Sequence, residues 1–227
     1  MKILIINPNS DPEMTEAIRR TAENFVDREC EVVCEPTPGA PKFIETYEDE
    51  IKAAQGMVKL VKENDNTFDA FIIACHCDPN LDAMKEITKK PVVGIGEASM
   101  KIASMLGHRF SVVSTSKHSI PNKEALIRKY HLQELLASVR MPQEEQDVMN
   151  ESGDEEKYLQ AAKSALEEDG AEVIVLGCAG MTGLDKRLEA KLGVPVLDGI
   201  VCALIIAVGL VKYGVSTSKI GRYNPEY

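Results

Sequence analysis

Three observations predict a parallel α/β fold, built as two similar units, for this 227-residue chain. First, Phe68-Asp-Ala-Phe-Ile-Ile-Ala-Cys75 and Ala171-Glu-Val-Ile-Val-Leu-Gly-Cys178 follow one pattern: acidic residue, apolar block, small residue, cysteine. Second, helical patterns precede both stretches, over residues 48–63 and 155–168. Third, each is followed by another apolar run behind proline, Pro91-Val-Val-Gly-Ile95 and Pro195-Val-Leu-Asp-Gly-Ile200. A continuous apolar run between helical segments is covered on both faces, as a buried parallel strand is. Strands alternating with helices make a parallel sheet. Each cysteine therefore falls at the carboxyl edge of a sheet, where open α/β folds bind ligands. A two-thiol site between the two units is the expectation.

The elements follow in order. Residues 2–6 read as a first strand ending at Asn7-Pro8-Asn9-Ser10. Ser10 and Glu13 have capping-box spacing and Pro12 suits a first helical turn, predicting a helix from Ser10 to about residue 27. Residues 31–35 form a short strand, the proline-rich segment 36–41 a loop, and 44–63 a helix. Strand 68–74, the Cys75 loop and a helix over 80–88 come next, then strand 91–95 and a helix ending near Gly107. The second unit repeats the rhythm: strand 109–113, polar exit Ser114-Thr115-Ser116, helix 121–130 and a short strand at 138–140. Residues 143–156, rich in acids and amides, read as a solvated loop plus a helix start. Strand 173–176, the Cys178 loop, helix 184–192, strand 194–197 and helix 199–213 complete it, with a polar surface tail over 216–227. The first lobe is assigned to residues 1–96, with 206–227 crossing back to it, and the second to 97–205.

Composition narrows the function. With 44% apolar and 27% charged residues the chain has ample material for a core. A net charge of −10 leaves no basic patch to neutralise phosphates, which argues against nucleic acid. The 13-residue apolar window over 199–211 is too short to span a bilayer, and the N-terminal apolar run is too short for a signal segment. Neither a membrane nor export is expected. The expected setting is cytoplasmic, with the six cysteines as reduced thiols.

Free cysteine is usually a small core residue, and that reading is adopted for Cys30, Cys34 and Cys202. The repeated context singles out Cys75 and Cys178. A thiol placed before a helix N-terminus loses its proton more easily, because unpaired amides favour the thiolate. Gly177 and Gly180 allow backbone amides to approach a ligand closely. A thiolate on one face of a carbon and a thiol on the other can invert a centre acidified by a neighbouring carbonyl. Cys75-His76-Cys77 lacks a fourth metal ligand, and alternate residues of a strand exit point apart, so no metal site is expected. His76 is read either as a modulator of the thiolate or as a hydrogen-bonded loop residue. Asp78-Pro79 reads as turn chemistry. Asn9 and Ser10 at the exit of the first strand, with Ser114 and Thr115 at the equivalent exit, are candidate ligand donors. Tyr47 is a further candidate, and a helical tyrosine is commonly half-core.

Several ordered motifs together resemble the Asp/Glu/hydantoin racemase superfamily, closest to its hydantoin and allantoin racemase branch. They are Ile5-Ile-Asn-Pro-Asn-Ser10, Ile73-Ala-Cys75 with Asp78-Pro79, Pro91-Val-Val-Gly-Ile-Gly-Glu-Ala98 and Gly107-His-Arg-Phe110. Gly170-Ala-Glu-Val-Ile-Val-Leu-Gly-Cys-Ala-Gly-Met181 and Val194-Pro-Val-Leu-Asp-Gly199 complete the set. The resemblance implies two Rossmann-like lobes with parallel sheets related by pseudo-twofold symmetry, and a site in the cleft. It also implies racemisation without a cofactor, with Cys75 and Cys178 as the paired bases, on a small-molecule substrate of hydantoin or allantoin type, in a homo-oligomer. Asn9, Ser10, Tyr47, His76, Cys77, Ser114, Thr115, Ala179, Gly180 and Met181 form the candidate binding set. The chain departs from the branch after its first cysteine. The branch carries phenylalanine or a similar residue, then a small one, with glycine after Asp-Pro, whereas this chain has His76, Cys77 and Asn80 and so a more polar wall.

Other functions fit the same residues. An amino-acid racemase, a one-thiol decarboxylase or a maleate isomerase would share the fold. A ligand-binding α/β module with inert thiols would share it without catalysis.

Overall fold

The structure is a computed structural model that describes residues 1–142 and 154–226. The segment expected to be a solvated loop and helix start, 143–156, lies outside the described residues up to 153. The rest divides into two compact units, residues 1–95 with 203–227, and residues 96–202.

Unit 1 carries a parallel sheet of order β2-β1-β3-β4, comprising β1 (Lys2–Asn7), β2 (Glu31–Pro36), β3 (Ala70–Ile73) and β4 (Val92–Gly94). The four residues of β3 are all buried, and so are Ile3 to Ile6 of β1, which is why these strands have no polar face. The helices are α1 (Pro12–Phe25), α2 (Tyr47–Asn64) and α3 (Leu81–Ile87). Helix α1 buries Met14, Ile18 and Ala22, a stripe at four-residue spacing. Its cap is Asp11, whose carboxylate accepts from the Met14 amide at 3.1 Å. The capping role assigned to Ser10 is thus corrected by one residue, for Ser10 is exposed and its amide donates to the Pro41 carbonyl. Pro12 then takes the first helical position, where its missing N–H costs nothing.

Helix α2 starts three residues later than its periodicity predicts, at a reciprocal capping box between Thr46 and Asp49. Its buried face, including Ala53, Met57 and Val61, meets Phe71, Ile73, Leu81 and Met84 in one apolar cluster. Removing the Phe71 ring from such a core costs about 3–5 kcal/mol.

Unit 2 repeats the plan with order β6-β5-β7-β8: β5 (Phe110–Val113), β6 (Leu136–Arg140), β7 (Val173–Leu176) and β8 (Val196–Leu197). Helices α4 (Ile95–Leu106), α5 (Ile120–Lys129), α6 (Asp154–Glu167) and α7 (Asp185–Leu192) surround it. One cluster sets Tyr158, Ala162 and Ala165 of α6 beside Ile174 and Leu176. Another gathers Met100, Phe110, Ile127 and Val175. The single polar side chain within β5, Ser111, is satisfied by the Ser138 hydroxyl at 2.8 Å.

Helix α8 (Gly199–Tyr213) begins in unit 2 and belongs to unit 1 from Ala203 onward. Among the described residues no helix is long and apolar enough to cross a membrane.

Candidate active site

The matching sheet orders give the two cysteines equivalent positions. In unit 1, β3 lies between β1 and β4, and Cys75 follows its last residue, Ile73, by two. In unit 2, β7 lies between β5 and β8, and Cys178 follows its last residue, Leu176, by two. Both thiols are partly exposed, whereas Cys30 and Cys202 are buried. Burial pushes the thiols of Cys34 and Cys202 up to about 12, and that of Cys30 up as well, so all three are poor nucleophiles.

The Cys75 loop is a chain of turns, not a helix start. Helix α3 begins only at Leu81, with Asn80 before it in the left-handed region and no side-chain cap. The start of α3 falls within one residue of the helix expected over 80–88, and five loop residues separate it from Cys75. The Asp78 amide donates to the Cys75 carbonyl, and Asp78 has φ +46°. This reversal brings the Cys75 and Cys77 sulfurs within 3.2 Å of each other. Strand alternation sets residues two apart on one face, but roughly 6.5–7 Å from each other along an extended chain, and the turn after the strand closes that distance. Among the described residues no three metal-binding groups cluster.

His76, between the two thiols, is 1% exposed, while Asn80 Nδ2 donates to the Glu50 carbonyl at 2.8 Å. The loop is thereby tied to the first turns of α2, whose first residue, Tyr47, is 70% exposed and not half-core as expected. The Asp78 carboxylate packs on β4, where a Cβ at Gly94 would come within 2.2 Å of Oδ1. Asp78 is thus a buried anchor between the thiol loop and β4, where the sequence suggested only a turn.

Beside this loop, the Ala74 amide donates to Ile6 and so sets the end of β3 level with the end of β1. There Asn9 Oδ1 accepts from Asn7 Nδ2 at 2.7 Å and from the Asp11 amide at 2.9 Å, and its Nδ2 lies 3.2 Å from Met14 Sδ. These bonds hold Asn9 in the β1–α1 turn. Thr37 closes the same turn by donating its amide and hydroxyl to the Asn7 carbonyl. Neither Asn7 nor Thr37 was anticipated, since buried polar residues that serve the backbone carry no sequence motif.

The Cys178 loop is more sharply organised. Cys178 precedes a 3-10 turn, Ala179–Met181, and its Sγ accepts from the Gly180 amide at 3.4 Å. An amide aimed at sulfur favours the thiolate. Here the expected cap geometry is present in a shorter helix, and the Gly180 amide serves the thiol. Gly177 answers to the sheet: its amide donates to Val113 at 2.7 Å, and a Cβ there would meet the same carbonyl at 2.7 Å. Ala179 and Met181 are buried beneath the turn, and Gly180 is partly exposed. Ser114 is buried against Ser119, Oγ to Oγ 2.5 Å, with its amide on the Arg140 carbonyl, while Thr115 is partly exposed.

Asp198, 3% exposed at the exit of β8, was not singled out by sequence. Its Oδ2 accepts from Thr182 Oγ1 and the Gly183 amide, and its Oδ1 from the Ile200 amide at the start of α8.

Comparison with known proteins places these features in a family. The sequence pattern described as Asp/Glu/Hydantoin racemase matches residues 3–207. The chain belongs to the Asp/Glu/Hydantoin racemase family. Hydantoin racemases from Paenarthrobacter aurescens and Pseudomonas sp. (strain NS671) are 40% and 39% identical to it, covering 98% of this chain and 96% and 91% of theirs. The solved allantoin racemase from Klebsiella pneumoniae superposes with a TM-score of 0.95 at 33% identity, covering 100% of this chain and 94% of that one. The chain is accordingly an isomerase of the racemase type.

The two loops share one local plan, each within its own unit. Each supplies a sulfur at a strand exit, and each sulfur has a nearby group able to donate to it: the Cys77 thiol in unit 1 and the Gly180 amide in unit 2.

Proposed function

We propose that the protein inverts an acidic carbon next to a carbonyl in a hydantoin- or allantoin-type substrate, with Cys75 and Cys178 as its acid–base pair. One observation carries this reading: the two partly exposed thiols occupy equivalent strand exits in two sheets of the same order. The named substrates of the similar racemases support the substrate class.

One cysteine, as thiolate, takes the proton from the carbon, and the electron pair moves onto the neighbouring carbonyl as an enolate. The other, as thiol, returns a proton to the opposite face. The protonation states of the two sulfurs are then exchanged, and the reverse enantiomer restores them. Protons alone move, so the step balances without a redox partner. General acid–base assistance of this kind contributes roughly 10²–10⁴-fold in rate. The Gly180 amide stabilises the thiolate state of Cys178. Cys77, partly exposed and 3.2 Å from the Cys75 sulfur, bears on substrate choice.

The test is solvent-deuterium exchange by proton NMR together with polarimetry, using allantoin, benzyl- and isopropyl-hydantoin, aspartate and glutamate. Exchange at one C–H with loss of optical rotation is expected for one of the first three. Cys75→Ala and Cys178→Ala each abolish racemisation, and each can retain exchange of one enantiomer. Racemisation undiminished in both variants overturns the two-thiol mechanism, and exchange confined to the amino acids overturns the substrate class.

A further inference from the structure

The Cys75–Cys77 contact is not needed to place one thiol at a strand exit, yet the loop is built so that it forms. Two left-handed residues, Asp78 at φ +46° and Asn80 at φ +58°, turn the chain back. Three ties hold the turn: the Asp78 amide on the Cys75 carbonyl, the Asp78 carboxylate against Gly94, and the Asn80 side chain on Glu50. The resulting 3.2 Å between sulfurs is within hydrogen-bonding reach for thiols.

We propose that Cys77 is a positioning residue whose S–H donates to the Cys75 sulfur and holds it as the resting thiolate. The proposal rests on the reading of Cys75 as an acid–base group. A neutral thiol is a weak donor, but a hydrogen bond strengthens when its acceptor is charged. Two thiols in contact share their protons as a pair: the first leaves more readily because the remaining S–H stabilises the anion, and the second is held more tightly. Serine at position 77 keeps a donor, whereas alanine removes it.

The experiment is pulsed alkylation of the freshly reduced full chain with iodoacetamide from pH 5 to 10, with modification localised to Cys75 or Cys77 by tandem mass spectrometry. In the parent protein Cys75 is expected to react as a thiol ionising below the ordinary value of about 8.5. In Cys77→Ala its profile moves up by about one pH unit, making alkylation at pH 7 about tenfold slower. In Cys77→Ser most of the parent rate returns. A purely structural role for Cys77 would not give this donor-dependent pattern in variants of parental circular dichroism. An unmoved Cys75 profile in folded Cys77→Ala overturns the proposal. So does a parent profile at the ordinary thiol value, or alkylation of Cys77 ahead of Cys75, and these two readings need no variant to fold. Because the readout uses no substrate, a shifted profile in a protein that racemises nothing would count against the proposed function alone.

Discussion

Asp198 Oδ2 accepts the Thr182 hydroxyl at 2.6 Å, linking the exit of β8 to the loop that follows Cys178. The same oxygen takes the Gly183 amide at 3.0 Å, and Oδ1 takes the Ile200 amide at 2.7 Å as the cap of α8. One buried carboxylate thus fixes both the far side of the thiol turn and the start of a helix. Asp198→Ala is expected to lower stability by about 2–3 kcal/mol, from a lost cap and from donors that lose their charged acceptor. Racemisation falls with it, since the Cys178 turn loses its tether. Urea unfolding and deuterium exchange measure the two effects, and parental values for both would remove the tether role.

The two glycines beside the thiols respond differently to a methyl group. At Gly177 the new Cβ meets the Val113 backbone carbonyl at 2.7 Å, and the sheet itself must move. At Gly94 it meets the Asp78 carboxylate, a side chain that can swing aside at the expense of the Cys75 loop. Gly177→Ala should therefore cost stability, about 1–3 kcal/mol by overpacking. Gly94→Ala should cost more activity than stability. Thermal melts beside exchange rates check the contrast, and equal losses on both measures in the two variants would contradict it.

Arg140 clasps the Asp169 carboxylate through two nitrogens, each at 2.7 Å, and reaches Glu168 at 2.9 Å, tying the end of β6 to the turn before β7. The hydrogen bond from Arg140 holds both carboxyls below their ordinary values of 3.8 and 4.5. Depressed carboxyls stabilise the fold fully above their unfolded values, and that contribution is lost as pH falls through the folded ones. Arg140→Gln should leave little acid-dependent stability here and shift the acid-unfolding midpoint upward in pH. An acid titration followed by circular dichroism reads this directly, and an unchanged midpoint would show the clasp to be energetically silent.

The order of strands and helices was legible because parallel strands are continuous apolar blocks, as at Val173–Leu176, and helices carry a stripe, as at Met14, Ile18 and Ala22. The positions of Cys75 and Cys178 were legible for the same reason: each follows a block whose end is unambiguous. What remained hidden depends on contacts distant in sequence. The Asp78–Gly94 packing spans two strands, and the Asp198–Thr182 bond joins a strand exit to an earlier loop. The Cys75–Cys77 contact is not legible in sequence because it depends on the turn that follows the strand, not on the strand's own alternation. Ser10 reads as a cap because serine and aspartate serve equally there, and only the chain's path decides between them.

The polar tail reads as a surface segment, and it also finishes the helix that follows the Cys75 loop. Lys219 Nζ donates to the carbonyls of Lys85 at 2.6 Å and Glu86 at 3.0 Å, in the last turn of α3. Helix ends leave such carbonyls unmatched, and a cation there also complements the helix dipole. Arg222 pairs with Glu86, and Tyr223 Oη donates to Asp82 at 2.7 Å, so the tail grips α3 at both ends. With only seven residues and no side-chain cap at Asn80, α3 has little stability of its own. Lys219→Met is expected to speed hydrogen–deuterium exchange across residues 81–87 by about five- to tenfold, the effect of roughly 1–1.4 kcal/mol in local opening. Exchange in β7 should not change, since it lies in the other unit. Acceleration spread evenly over the chain would instead mean that the lysine supports global stability, and no acceleration would mean that Arg222 and Tyr223 suffice to hold the helix.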